Sequence, residues 1–95
     1  MDYKLDFIFT KKGLMKYISH LDLIRLFSRA MRRAELPVKV TQGYSPHFKL
    51  SIKRALKLGI ESDNEEAVVV LNRLVDSGEF KARLQMQLPE GIVIK

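Results

Sequence analysis

The sequence predicts a small α+β domain in which an antiparallel sheet carries two helices on one face. Apolar and polar residues alternate near both ends and in the middle of the 95-residue chain, and two segments with helical spacing lie between them. Apolar residues make up 46% of the chain, which at this length supplies one core and not two. We therefore expect a single domain over residues 1–95.

The first predicted element is a strand from Tyr3 to Thr10, in which inward apolar residues alternate with polar ones. Lys11-Lys12-Gly13 is typical of a turn. Residues 14–18 are expected to continue as a short extended segment towards the first helix.

The first helix is predicted from His20 to Glu35. Ser19 and Asp22 have the spacing of a capping box, in which the serine accepts from an amide and the acid reaches back. Pro37 disfavours helical geometry at Leu36 and so ends the helix. The apolar residues that fall within one arc of roughly 120° are Leu23, Ile24, Phe27, Ala30, Met31 and Ala34.

The rest of the chain continues the alternation of strands and helices. In order, the predicted segments are an apolar piece at Val38–Val40, a loop at Thr41–His47, a strand at Phe48–Lys53, a connection over 57–63, a strand at Glu66–Asn72, a helix from Asp76 or Ser77 to about Leu88, a turn at Pro89–Gly91 and a strand at Ile92–Ile94. The order strand, helix, strand, strand, helix, strand is that of the ferredoxin-like split βαβ fold (βαββαβ).

Composition excludes several classes of protein. The chain has no cysteine, so it has no disulfide partner and no thiolate zinc or iron–sulfur site, and we expect no cofactor. No apolar run approaches the roughly 20 residues of a membrane span, and the first residues do not resemble a signal peptide. A cytoplasmic protein without a membrane partner is expected.

Charge is distributed unevenly along the chain. Residues 3–57 contain 13 Lys and Arg against three acidic residues, whereas residues 58–95 contain four against seven. An electrostatic field that is positive on one side of a domain orients a polyanion before contact. The alternative is that the charge contributes only to solubility, as in many small basic domains.

Four arginines on the face of the first helix opposite its apolar arc are the leading candidates for anion or nucleic-acid binding. They are Arg25, Arg29, Arg32 and Arg33. Planar guanidinium groups match phosphate oxygens in a bidentate geometry. Lys49, Lys53 and Arg54 extend the patch if the outer side of the second strand adjoins it. The alternatives are a solvated helix face and a face that docks an acidic protein.

The loop after this helix offers a second set of candidates. Gln42 has an amide and Tyr44 a flat ring, both suited to a nucleobase, while Gly43 between them is typical of a turn. His20, paired with Tyr44 or His47, is a candidate general acid–base pair for RNA cleavage. The alternatives are a buried structural His20 and an exposed loop residue at His47.

Three polar residues of these motifs are weak candidates for metal ligands. Two imidazoles and one carboxylate, from His20, His47 and Asp22, have the composition of a facial metal set. Their spacing matches no recognised metal pattern, and Asp22 is already assigned to the helix cap. We therefore expect no metal.

An ordered set of motifs carries a resemblance to a known family. The motifs are KGLMKYISHLDL at 12–23, AMRRAELP at 30–37, TQGYSPH at 41–47, LGIES at 58–62 and LPEGI at 88–92. They resemble the bacterial radical-SAM-linked domain of unknown function. The resemblance implies a companion of radical SAM proteins, in an accessory role in RNA modification. Phe48 stands where that family often has a proline.

Family members usually run well beyond the last motif, so the resemblance also implies that this chain is the N-terminal part of a longer protein. Radical SAM chemistry needs a cysteine-bound cluster, which a chain without cysteine cannot hold. Enzymatic activity of the chain alone is therefore the less favoured expectation.

The combined hypothesis is a domain that binds structured RNA, tRNA or rRNA, through the arginine helix and the Gln42–His47 loop, beside a radical SAM partner. The first alternative is a protein-interaction domain that docks this partner through the same face. The second is a ferredoxin-like endoribonuclease.

Overall fold

The computed structural model describes residues 2–95 and confirms the α+β class. The elements in chain order are strand β1 (Tyr3–Lys11), a 3-10 helix (Gly13–Tyr17), helix α1 (His20–Arg33), strand β2 (Leu50–Ile52), strand β3 (Ser62–Leu71) and helix α2 (Ser77–Gln85). Strand β3 lies between β1 and β2, and both pairings are antiparallel. The result is an open three-stranded sheet with two helices.

The core lies on one face of this sheet and both helices contribute to it. In the register of the sheet Phe7 of β1 lies opposite Ala67 of β3. The ring of Phe7 is 5.7 Å from that of Phe27 in α1 and 6.0 Å from that of Phe80 in α2. The alternation predicted for β1 therefore points its aromatic residues at both helices. The opposite face, with Ser51 exposed and Ile8 36% exposed, is open to solvent.

Helix α1 begins at His20, as the sequence predicts, and ends at Arg33, two residues before the predicted end at Glu35. The Ser19 hydroxyl accepts from the Asp22 amide at 3.1 Å, which confirms this half of the predicted cap. The carboxylate of Asp22 accepts from Arg25 at 3.3 Å instead of reaching back, so the second half of the capping box is wrong. Glu35 adopts a left-handed φ of 54°, and this places it outside the helix.

The extended segment predicted for residues 14–18 is wrong. Residues 14–17 belong to the 3-10 helix, which begins at Gly13 with a φ of +60°, and only Ile18 is extended. The amide of Gly13 donates to the carboxylate of Glu61 at 2.7 Å, a long-range contact that local sequence does not reveal. Lys11 is also not part of a turn: it ends β1, opposite Ser62.

The chain approaches β3 twice around the second predicted strand. Lys39 donates its amide to Val70 at 2.8 Å, and Val70 donates to Lys49 at 3.0 Å. Between these contacts, residues 40–48 leave the sheet as a hairpin, closed by a bridge between Val40 and Phe48. Strand β2 is therefore shorter than the predicted Phe48–Lys53.

The C-terminal elements differ from the prediction in length. Strand β3 begins at Ser62, four residues before the predicted start, and α2 ends at Gln85 instead of about Leu88. The predicted last strand is reduced to a bridge between Phe9 and Ile94, flanked by a hydrogen bond from the Thr10 amide to Val93 at 2.9 Å. None of the helices within residues 2–95 has the length and apolar character needed to cross a membrane.

Candidate functional site

A groove runs between α1 and the base of the hairpin. Its volume is about 580 Å³. The residues that line it are Leu21, Ile24, Arg25, Ser28, Arg29, Arg32, His47, Phe48 and Leu50. The fold thus brings together three of the predicted arginines and the second histidine, which are far apart in sequence. We call this concavity the arginine groove.

Helix α1 places these arginines because of its amphipathic pattern. Arg25, Arg29 and Arg32 follow one another at spacings of four and three residues and so share one face. Leu23 and Phe27 are buried on the opposite side, which fixes the rotation of the helix on the sheet. Arg33, the fourth predicted arginine, does not line the groove.

The guanidinium group of Arg32 contacts the hairpin. Its central carbon lies 5.3 Å from the ring centroid of Phe48, within the range of a cation–π interaction. The sequence predicts Phe48 as the first residue of a strand, and in the fold it is half-buried at the edge of the core. Its position beside the TQGYSPH motif was the one available signal of this second role.

The arginine groove keeps most of its positive charge. Within residues 2–95 neither Arg29 nor Arg32 forms an ion pair with an acidic side chain. Arg25 lies 3.3 Å from Asp22, but both side chains are largely exposed. Such surface pairs contribute little and are readily exchanged for another anion.

His47 is held at the base of the hairpin by backbone and side-chain contacts. Its amide donates to the Thr41 hydroxyl at 3.1 Å, and its carbonyl accepts from the Thr41 amide at 2.7 Å. Ring atom Nδ1 lies 2.9 Å from the carbonyl oxygen of Ser45. Because a carbonyl only accepts, the neutral ring carries its proton on Nδ1, and Nε2 is left as an acceptor.

A second concavity, which we call the open-face depression, lies on the other side of the hairpin base. It is lined by Lys4, Thr41, His47, Phe48, Lys49, Leu50, Ser51, Lys53, Val68 and Val70, and its volume is about 550 Å³. His47, Phe48 and Leu50 also line the arginine groove. These three residues form a wall that the two concavities share. Lys49 and Lys53 therefore lie next to the arginines of α1, as the predicted extension of the basic patch requires.

The tip of the hairpin is fully accessible. Gln42 and Tyr44 are both exposed, and Tyr44 has no part of its ring covered by the chain. Gly43 between them has a φ of +126°, the turn geometry predicted for it. The tip therefore presents an amide and an aromatic ring beyond the mouth of the two concavities.

Arg54, the last predicted anion-binding residue, has a partner inside the chain. Its Nε and Nη2 lie 3.0 Å and 2.6 Å from Oε2 of Glu65, which also accepts from the Ser62 hydroxyl at 2.6 Å. Hydrogen bonding from Arg54 lowers the pKa of Glu65 below 4.5. Nearby Lys11 is buried, and burial lowers its pKa. This cluster is not apparent in the sequence, because Lys11 and Glu65 stand in strands that pair only in the fold.

The remaining histidine is not part of the same surface. His20 does not line the arginine groove, and its Nδ1 is buried with no hydrogen-bond partner within residues 2–95. No three His, Asp or Glu side chains in this part of the chain gather into a possible metal site, so His20, Asp22 and His47 do not form the facial ligand set. The proposed acid–base pair of His20 with Tyr44 or His47 is likewise not assembled in the groove.

Comparison with known proteins gives a family and no closer relative. No curated protein and no solved structure is significantly similar to the chain. The family model of an uncharacterised protein conserved in bacteria (DUF2344) matches residues 4–95. Since this match spans nearly all of the sequence, the chain belongs to that bacterial domain family.

Proposed function

We propose that the chain binds RNA through the arginine groove, the open-face depression and the hairpin tip. The observation that carries the proposal is the lining of the arginine groove, which combines three cationic side chains with the apolar side chains of Leu21, Ile24 and Leu50, which we call its floor. Guanidinium groups bind phosphate oxygens, and an apolar floor accepts the faces of bases. Gln42 and Tyr44 of the tip supply further hydrogen bonds and stacking to the same strand.

Electrostatics favours an anionic polymer over a small anion. The groove and the depression share a wall, so that Arg25, Arg29, Lys49 and Lys53 flank one continuous surface. A single phosphate contacts two or three such groups, whereas a nucleic acid strand repeats its charge along the whole surface. We take tRNA or rRNA as the RNA class, as the resemblance to radical-SAM-linked domains implies.

The proposal is tested by comparing two substitutions on the same helix. Arg29→Gln removes one charge from the arginine groove, and Arg33→Gln removes one charge outside it. Binding of bulk bacterial tRNA and of rRNA fragments, measured by fluorescence anisotropy, should weaken about tenfold in the first variant and less than threefold in the second. Absence of RNA binding by the unchanged protein, or equal losses in both variants, would overturn the proposal.

We further propose that the fold is the complete ferredoxin-like split βαβ arrangement. The support comes from residues 92–95, which run antiparallel to the free edge of β1, with the Lys95 amide donating to Ile8 at 2.7 Å. Counting this segment as a fourth strand gives the order 4-1-3-2 of that fold. It leaves one face of the sheet uncovered, as the open-face depression requires.

A radical SAM protein is the partner we propose for this domain. The support is the motif resemblance together with the lack of any cysteine to hold an iron–sulfur cluster. In this arrangement the domain presents RNA and the partner performs the chemistry. Co-purification of the chain with a radical SAM protein encoded in the same genome, retained after nuclease treatment, tests direct contact. If Arg29→Gln abolishes this contact but not RNA binding, the same face docks the partner instead.

A further inference from the structure

We infer that the arginine groove accepts an unpaired nucleotide, so that the chain selects single-stranded segments or loops of RNA over duplex. This inference rests on the proposed function and specifies the RNA structure that the same site recognises. It follows from the floor and the walls of the groove.

The floor of the groove suits the face of a base. Leu21, Ile24 and Leu50 contribute apolar side chains, and Leu21 is 56% exposed although it stands on a helix with a well-formed core stripe. Phe48 adds an aromatic ring at the wall, with the Arg32 guanidinium 5.3 Å from its centroid. A flat, polarisable base gains from both an aromatic ring and a guanidinium plane.

The walls of the groove suit the phosphates on either side of that base. Arg25 and Arg29 stand on the helical wall, one turn apart, and neither is committed to a buried partner. His47, on the hairpin wall, has Nε2 free to accept from a base amino group or a ribose hydroxyl. A base on the floor therefore has cationic groups for its phosphates on one side and an acceptor on the other.

A duplex cannot use the apolar part of this site. Bases in an A-form helix are stacked and paired, and the protein meets chiefly phosphates and 2′-hydroxyl groups. A duplex would contact Arg25 and Arg29 but leave Leu21 and Ile24 exposed to water. An unpaired strand also passes from the groove over the shared wall to Lys49 and Lys53, which a rigid helix cannot follow.

The test compares three probes of matched length on the whole chain. They are a fluorescein-labelled 10-nucleotide RNA, the same RNA annealed to its complement, and a decaglutamate peptide. We expect the single strand to bind at least fivefold more tightly than the duplex, because stacking of even one base adds that much. Tighter binding of the peptide than of either RNA would show an acidic protein to be the occupant and overturn both proposals.

Two groove variants and one control connect this preference to the groove. Leu21→Ser removes part of the floor at an exposed position, and Leu74→Ser is its control because Leu74 is 76% exposed and lies outside the groove. Phe48→Leu keeps an apolar side chain but removes the ring. Leu21→Ser and Phe48→Leu should weaken single-strand binding about fivefold and duplex binding less than twofold, with Leu74→Ser unchanged.

The outcomes separate this inference from the proposed function. RNA binding with equal affinity for single strand and duplex, or equal losses for both probes in Leu21→Ser, would overturn the inference and leave RNA binding intact. Failure of every RNA probe to bind would overturn the proposed function itself. Circular dichroism of each variant checks that the fold is retained.

Discussion

The guanidinium of Arg54 is paired with the carboxylate of Glu65, with Nη2 2.6 Å from Oε2. The two partners differ in exposure: the Arg54 side chain is 63% exposed and that of Glu65 only 2%. Arg54 therefore covers a carboxylate that the sheet buries next to Lys11, itself 1% exposed. Arg54, which the sequence analysis predicts to bind phosphate, therefore also contributes to the stability of the fold.

Glu65→Gln should destabilise the protein by about 2–3 kcal/mol, because it removes the charge that faces buried Lys11 and the acceptor of a charge-assisted pair. The exposure of Arg54 keeps the cost below that of a fully buried ion pair. Chemical denaturation at pH 7 measures the change.

Glu66→Gln is the matched control, since Glu66 is the next residue of β3 and points to the open face. It lies 3.8 Å from Lys53, with both side chains about half exposed. A surface pair of this kind is worth less than about 1 kcal/mol. Equal destabilisation by the two substitutions would contradict the special position of Glu65.

The titration of Glu65 should also make the free energy of unfolding depend on pH. Its pKa in the folded protein is lowered from 4.5, chiefly by the hydrogen bond from Arg54. Stabilisation by the carboxylate is therefore fully present above pH 4.5 and is lost as the pH falls through the lower folded pKa, because the unfolded chain takes up the proton first. Arg54 and Lys11 are the charged groups that face it.

The free energy of unfolding of the unchanged protein should accordingly approach that of Glu65→Gln as the pH is lowered from 5 towards 3. Urea denaturation of both proteins at each pH gives the difference, in which the titration of other acids cancels. A difference that stays constant across this range would show that Glu65 is not ionised in the way the contact with Arg54 implies.

Local sequence patterns were enough to predict the first helix and the face that it buries. The spacing of Leu23, Phe27 and Met31 fixed the buried stripe, and the arginines necessarily lay opposite. The serine cap set the first residue of the helix. The buried stripe and the cap depend only on residues three or four positions apart, so a single sequence is enough to predict them.

The shared wall between the two concavities was not predictable from the sequence. It exists because the chain leaves the sheet after Lys39 and returns at Lys49, and the hydrogen bonds of both residues to Val70 depend on strand pairing across about 20 to 30 positions. For the same reason the cluster of Lys11 and Glu65 was missed. Long-range pairing has no signature in one strand alone.

A substitution at Gly91 tests how much the close backbone packing of the C-terminal segment contributes to stability. A Cβ at this residue would clash with the backbone oxygen of Lys12, and φ is +98°. Gly91 also accepts hydrogen bonds from the Lys12 amide at 2.9 Å and the Thr10 hydroxyl at 3.0 Å. Gly91→Ala should therefore cost about 2–4 kcal/mol, by strain and by displacement of this contact.

Gly43→Ala is the control that separates backbone strain from the steric clash expected in Gly91→Ala. Gly43 has a φ of +126°, but a Cβ added there would have no heavy atom within 4 Å, so only backbone strain opposes the substitution. We expect a loss of about 1 kcal/mol, measured by the same denaturation experiment. A loss at Gly91 no larger than the loss at Gly43 would show that the segment after Pro89 shifts freely away from β1.

Salt dependence gives the most direct count of the cationic groups that bind RNA. If Arg25, Arg29, Arg32, Lys49 and Lys53 all contact phosphates of one strand, the logarithm of the binding constant should fall with the logarithm of salt concentration with a slope of about −3.5. Anisotropy titrations of the 10-nucleotide RNA between 50 and 300 mM salt, over which the screening length falls from about 14 to 6 Å, measure this slope. Arg29→Gln should reduce its magnitude by about 0.7, whereas Arg33→Gln should leave it unchanged because Arg33 stands outside the groove. A flat response in the unchanged protein would mean that the cations of α1 and β2 do not meet phosphates, and that any RNA binding arises elsewhere on the chain.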